Sequence, residues 1–134
     1  MATLTPTLTL ASTDISASET LNLTLTDALT VDGPVITKRM AINSSSSDVG
    51  TDNTVFAAAD YTISYVLLYN TSTAGSGEII TIGKTAAAGA LAEENMSLKP
   101  SEFAYFPWDA SVNLVADASS GSPVLEARIY QSAS

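Results

Sequence analysis

From Thr20 to Thr26 apolar and polar residues alternate without exception, Leu21, Leu23 and Leu25 against Asn22, Thr24 and Thr26. A period of two places the three leucines on one face, which predicts a half-buried β-strand. Upstream, Leu4, Leu8 and Leu10 alternate with threonines around Pro6. Proline cannot donate to a central ladder, so this stretch reads as an extended arm or an edge strand. Residues 1–15 are therefore expected to form an extended N-terminal arm, with Ala2 to Ile15 able to add to a neighbour's sheet edge, and residues 16–134 a single β-sandwich domain.

The pattern continues in short segments. Asp32-Gly33-Pro34 marks a turn, and Val35, Ile36, Met40 and Ile42 mark a strand that carries Lys38 and Arg39. A polar loop, Asn43 to Asn53, follows. Tyr61, Ile63, Tyr65, Leu67 and Tyr69 then share one face, while Thr62, Ser64, Val66, Leu68 and Asn70 share the other. Apolar residues on both sides predict a central strand. Thr71 to Gly77 reads as a turn into a partner strand, Glu78 to Gly83, which predicts a hairpin. Lys84 to Asn95 is open between a short alanine helix and an irregular crossing. Lys99-Pro100-Ser101 turns into Glu102 to Trp108, and two further strands hold Val112 and Leu114, then Leu125, Ala127 and Ile129. Short strands joined by turns, with no long helical period, predict an all-β fold: an antiparallel β-sandwich, jelly-roll-like.

Composition narrows the function. The 134 residues fit one domain, 46% hydrophobic and 14% charged with mean hydropathy +0.23, too apolar for wholesale disorder. The net charge is −9, and Lys38, Arg39, Lys84, Lys99 and Arg128 are too scattered to form a phosphate-neutralising stripe. Neither nucleic acid nor an anionic membrane is an expected partner. No basic n-region precedes Lys38, and no apolar run approaches the ~20 residues of a membrane span, so a soluble chain without a signal peptide is expected. With no cysteine, stability must come from core packing or from association. Sequons at Asn22, Asn43, Asn70 and Asn95 are ascribed to chance in a chain rich in Asn, Ser and Thr.

The absence of histidine and cysteine removes Ser-His-Asp and Cys-His catalysis and the commonest zinc, copper and haem ligand sets. Carboxylate pairs are the remaining route to hydrolysis, with Glu93-Glu94 or Glu78 and Glu102 as candidates, although adjacent glutamates more often sit in a solvated loop. Asp48, Asp52 and Asn53 around Gly50 offer oxygen ligands for calcium, but their spacing is no EF-hand and an Asx-turn loop explains them more simply. Gly75-Ser76-Gly77 lacks the lysine and helix of a phosphate loop. The expectation is a non-enzymatic chain with no cofactor. Tyr105, Phe106 and Trp108 read either as core or as a surface that stacks on sugar or anchors a partner. With Leu4, Leu8 and Leu10 they are the interface candidates.

The run Tyr65-Val66-Leu67-Leu68-Tyr69-Asn70, the Gly/Ser turn, Ile79-Ile80-Thr81-Ile82, Leu98-Lys99-Pro100-Ser101-Glu102-Phe103, Pro107-Trp108 and Leu125-Glu126-Ala127-Arg128-Ile129 together resemble small β-rich structural proteins of tailed-phage virions. The resemblance implies a capsid decoration, cement or head-fibre-base protein. Such proteins are commonly trimeric jelly-roll-like domains bound to the outer face of the major capsid protein lattice. It therefore implies a location on the virion surface after synthesis in the host cytoplasm. Two rivals are a carbohydrate-binding or host-adhesion module and a tail or neck component.

Overall fold

The computed structural model describes residues 2–16, 19–32, 35–44, 53–58, 60–85 and 93–132. They form twelve strands: β1 (Ala2–Leu4), β2 (Thr7–Ser16), β3 (Glu19–Thr26), β4 (Leu29–Val31), β5 (Ile36–Ala41), β6 (Thr54–Phe56), β7 (Ser64–Asn70), β8 (Ile80–Thr85), β9 (Glu93–Leu98), β10 (Phe103–Trp108), β11 (Asn113–Ala118) and β12 (Val124–Gln131). No helix occurs among the described residues, and every pairing is antiparallel.

Eight of the strands make a β-sandwich. One sheet runs β10-β7-β12-β5 and the other β6-β11-β8-β9. From β5 to β12 each connection passes from one sheet to the other except β8 to β9, which are neighbours. The core lies between the sheets. Val66 and Leu68 of β7 and Leu125, Ala127 and Ile129 of β12 meet Val55, Ile80, Ile82, Leu114 and Ala116 from across the sandwich. Alternation explains this directly, since each strand sends every second residue inward and burying each Val, Leu or Ile is worth about 1.5–3 kcal/mol. β5 and β6 are edges of opposite sheets, and the Lys38 ammonium donates across the gap to the Val55 carbonyl at 3.0 Å.

β7 is central, as its two apolar faces predict, and Ser64, Val66, Leu68 and Asn70 form the buried side. The expected hairpin of β7 with the strand after it does not form: β7 pairs with β10 and β12, and β8 belongs to the opposite sheet. The cause is Asn70. Its fully buried amide donates to the Glu78 carbonyl at 2.8 Å and the Leu98 carbonyl at 3.0 Å, and its side-chain oxygen accepts from the Ser72 N–H at 3.1 Å. These bonds carry the chain from the end of one sheet to the other, and Gly75 and Gly77 supply the positive φ that the connection needs. The alanine-rich stretch between β8 and β9, like the Gly33-Pro34 turn, lies outside the described residues.

The N-terminal segment is more than a lone arm. β1 pairs with β4 and β2 with β3 in one register from Ala2 to Ser12, where Ala2 faces Val31, Leu4 faces Leu29, Thr7 faces Thr26 and Ser12 faces Leu21, and the register shifts before Ser16 faces Glu19. Pro6 interrupts strand geometry without breaking that register, because the Asp27 N–H still donates to the Pro6 carbonyl at 3.2 Å. Residues 2–16 and 19–31 thus form one long β-ribbon, and a boundary at residue 15 falls inside β2. The ribbon joins the sandwich through the Val31–Ser132 bridge and the Asp32 N–H to Gln131 carbonyl bond.

Candidate interaction surface

The ribbon sorts its side chains completely. Residues directly opposite in an antiparallel pair point to the same side. Leu8 with Leu25, Leu10 with Leu23, and Ser12 with Leu21 therefore share one face, while Thr7 with Thr26, Thr9 with Thr24, and Ala11 with Asn22 share the other. On the threonine face the hydroxyls of Thr7 and Thr26 lie 3.3 Å apart. Burial does not follow this sorting. Leu8, Leu10, Leu23 and Leu25 are 46%, 43%, 39% and 57% exposed, so the half-buried strand expected from Thr20 to Thr26 has Leu23 and Leu25 in solvent within a single chain and only Leu21 partly buried. Leu4 is partly buried near the ribbon's base.

A second apolar surface covers the outer side of the β10-β7-β12-β5 sheet. Phe103, Tyr105 and Pro107 of β10 stand beside Tyr69, Leu67 and Tyr65 of β7. Phe103 is 65% exposed, and the rings of Tyr65 and Tyr105 stack with centroids 6.1 Å apart. Pro107 is tolerated because β10 is an edge. The two surfaces meet: Leu8 and Leu25 border the same open groove, about 610 Å³, as Leu67, Phe103 and Tyr105. Partial burial, then the neighbouring Tyr65 and Tyr130 and the Asp27 carboxylate, push the Tyr105 hydroxyl above the usual tyrosine range. A raised folded pKa contributes stability that is complete below the unfolded value of about 10 and is lost as pH rises through the folded pKa. Thermal melting is accordingly expected to fall on going from pH 9 into the strongly alkaline range, and Tyr105→Phe to remove part of that fall.

The sequence candidates separate on this geometry. Leu8, Leu10 and Tyr105 lie on exposed apolar surface. Trp108 does not: it is 6% exposed, with its ring centroid 6.1 Å from Phe56 and 6.3 Å from Tyr61. Phe106 likewise packs against the core. The parity of β10 sends Ala104, Phe106 and Trp108 inward together, and the most exposed aromatic of the strand is Phe103, on the other parity, which the sequence reading did not single out. Exposed apolar residues on a strand that also carries an aromatic inner face were the available signal.

The carboxylate candidates hold turns and strand edges. Glu78 accepts from the Ser72 hydroxyl at 2.9 Å, Glu102 accepts from the Lys99 N–H at 2.8 Å, and Glu93 pairs with Lys84 at 3.2 Å across β9 and β8. Asp48, Gly50 and Asp52 lie outside the described residues. Asn53, the remaining candidate calcium ligand, is buried and spends its side chain as a clamp: its oxygen accepts from the Asn43 N–H at 3.2 Å and its amide donates to the Asn43 carbonyl at 3.1 Å. Among the described residues no group of three or more acidic side chains is placed to hold a metal ion. Of the sequons, Asn70 is fully buried with its amide engaged, so the folded chain cannot present it to a glycosylating enzyme. The chain matches no protein-family model, no curated protein and no solved structure.

Proposed function

We propose that this chain is a non-enzymatic virion subunit that binds as an oligomer to the outer face of a capsid lattice and decorates or stabilises it. The observation that carries the reading is the exposed aromatic face of the β10-β7-β12-β5 sheet, with Phe103, Tyr105 and Tyr69 displayed on a rigid sandwich. Large planar side chains on strands offer contact area at low entropic cost, as protein-docking surfaces require. The strand orders support a jelly roll, the architecture of many shell proteins: β5-β12-β7-β10 opposite β6-β11-β8-β9 is the interleaving produced by two Greek keys. A net charge of −9 keeps free copies apart until they are organised by contacts stronger than that repulsion.

Cosedimentation with empty capsids of the virus that encodes the chain tests the proposal. Wild type is expected to pellet with shells and to raise their heat resistance. Phe103→Ser combined with Tyr105→Ser is expected to weaken that binding by at least about tenfold, with little change in melting temperature because both rings are exposed. The stacked Tyr65 and Tyr105 rings favour the glycan-binding rival. Retained affinity for oligosaccharide with no affinity for shells would replace the lattice reading with that one.

A further inference from the structure

We propose that the ribbons of three copies of this chain close edge to edge into a six-stranded antiparallel barrel, with the leucines inside and the threonines outside. The inference deepens the oligomeric reading above by naming the surface that makes the oligomer.

Three properties of the ribbon converge on further copies of itself as the occupant. Its leucine face is exposed, and an isolated two-stranded ribbon is marginal in water. Both of its long edges are open among the described residues, where β2 and β3 pair only with each other. Such edges are normally guarded by charges, yet the charged residues of β2 and β3 are Asp14 and Glu19, both at the end away from the sandwich, with Asp27 just after β3. In a chain of net charge −9 this leaves the middle of the ribbon free of carboxylates, and Asp27, which borders the groove beside Leu8 and Leu25, is the charge that closure would bring near its copies at the sandwich end.

Geometry then selects the closure. The leucine face from Ala2 to Ser12 is about 37 Å long and, at two strands, about 10 Å wide, so two ribbons pressed face to face bury only about 750 Å² as a flat footprint. That is short of the roughly 1,000 Å² expected of a stable interface, and it leaves all four strand edges open. Rotational symmetry offers a better solution. All copies of β2 then run in the same direction, so the β3 edge of one copy meets the β2 edge of the next antiparallel, as in the hairpin itself. Three ribbons complete such a ring with six strands, wider than the four that two ribbons would give, and closure pairs every edge while enclosing the leucines. Leu8 and Leu25, at the sandwich end of the barrel, continue onto Phe103 and Tyr105 through the shared groove.

Light scattering of the purified full chain tests this without any shell. Wild type is expected at three times the 13.8 kDa chain mass. Leu10→Asn with Leu23→Asn is expected to give single chains, and Thr9→Asn with Thr24→Asn to remain trimeric, because the same residue type is placed on the opposite face. Emission from Trp108, the sole tryptophan and buried in the sandwich, reports that the body stays folded in each variant. A monomeric wild type, a leucine variant that keeps its mass, or a threonine variant that dissociates equally would overturn the barrel. A trimer that ignores capsids would retain the barrel and remove the docking proposal; a monomer that binds capsids would do the reverse.

Discussion

Replacing Trp108 by alanine is expected to lower unfolding stability by about 3–5 kcal/mol, the range for emptying a large aromatic site in a packed core. Urea denaturation followed by circular dichroism measures it. Trp108 closes β10 at one end of the sandwich, where Phe56 and Tyr61 surround it and meet each other edge to face at 5.4 Å. Removing the indole strips both rings of their shared partner and leaves a void that the two sheets cannot collapse without shifting register. Trp108→Phe is expected to cost far less, within about 1.5 kcal/mol, because it keeps most of the apolar volume. It also deletes an indole N–H that finds no hydrogen-bond partner among the described residues. A surface role makes the opposite forecast, with Trp108→Ala abolishing binding at unchanged stability.

Asn70→Ala is expected to cost about 2–5 kcal/mol, since it leaves the Glu78 and Leu98 carbonyls without the amide that satisfies them, at about 1–3 kcal/mol per buried orphan. The same residue organises the neighbouring turn through its backbone: Ser101 donates to the Asn70 carbonyl at 3.0 Å, and Asn70 donates to the Glu102 carbonyl at 3.0 Å. Ser101 holds a φ of 68°, a left-handed conformation that a non-glycine residue adopts only when its surroundings fix it. Asn70→Ala keeps these backbone bonds and removes the side-chain bonds to the Glu78 and Leu98 carbonyls and from the Ser72 N–H, so thermal melting beside wild type is expected to show an earlier transition. A melting curve superimposable on wild type would mean that the two sheets are held at this end by packing alone.

How much of this was legible in the sequence depends on the range over which each feature is determined. Strand identity is local, and the alternation of Tyr65 to Asn70 marks β7 correctly as central. Pairing is not local. β7 and the following strand are close in sequence and equally apolar, so nothing in their pattern distinguishes a hairpin from a crossing; the decision rests on which carbonyls a single amide at Asn70 reaches. For β10, alternation separates Phe103 and Tyr105 from Phe106 and Trp108 but cannot say which set meets the second sheet. The ribbon is a different case. Its threonine and leucine positions in β2 and β3 mirror one another, and that mirror predicts the pairing of Leu8 with Leu25 and Leu10 with Leu23. Read as two separate elements, an arm and a half-buried strand, the symmetry is lost. Its leucines look buried by pattern, and the described residues of a single chain leave Leu8, Leu10, Leu23 and Leu25 exposed; the proposed barrel would supply the missing cover.

The central claim is that this chain's own copies cover the ribbon. Amide hydrogen exchange of the purified protein, read along Thr7–Ser12 and Leu21–Thr26 and compared with β7, tests it most directly. A ribbon left in solvent opens readily and exchanges far faster than core strands, whereas a ribbon closed into a barrel opens only with the assembly. The account predicts ribbon protection comparable with that of Val66 and Leu68, falling on dilution as the trimer dissociates. Fast, concentration-independent exchange along the ribbon beside a protected sandwich would contradict it.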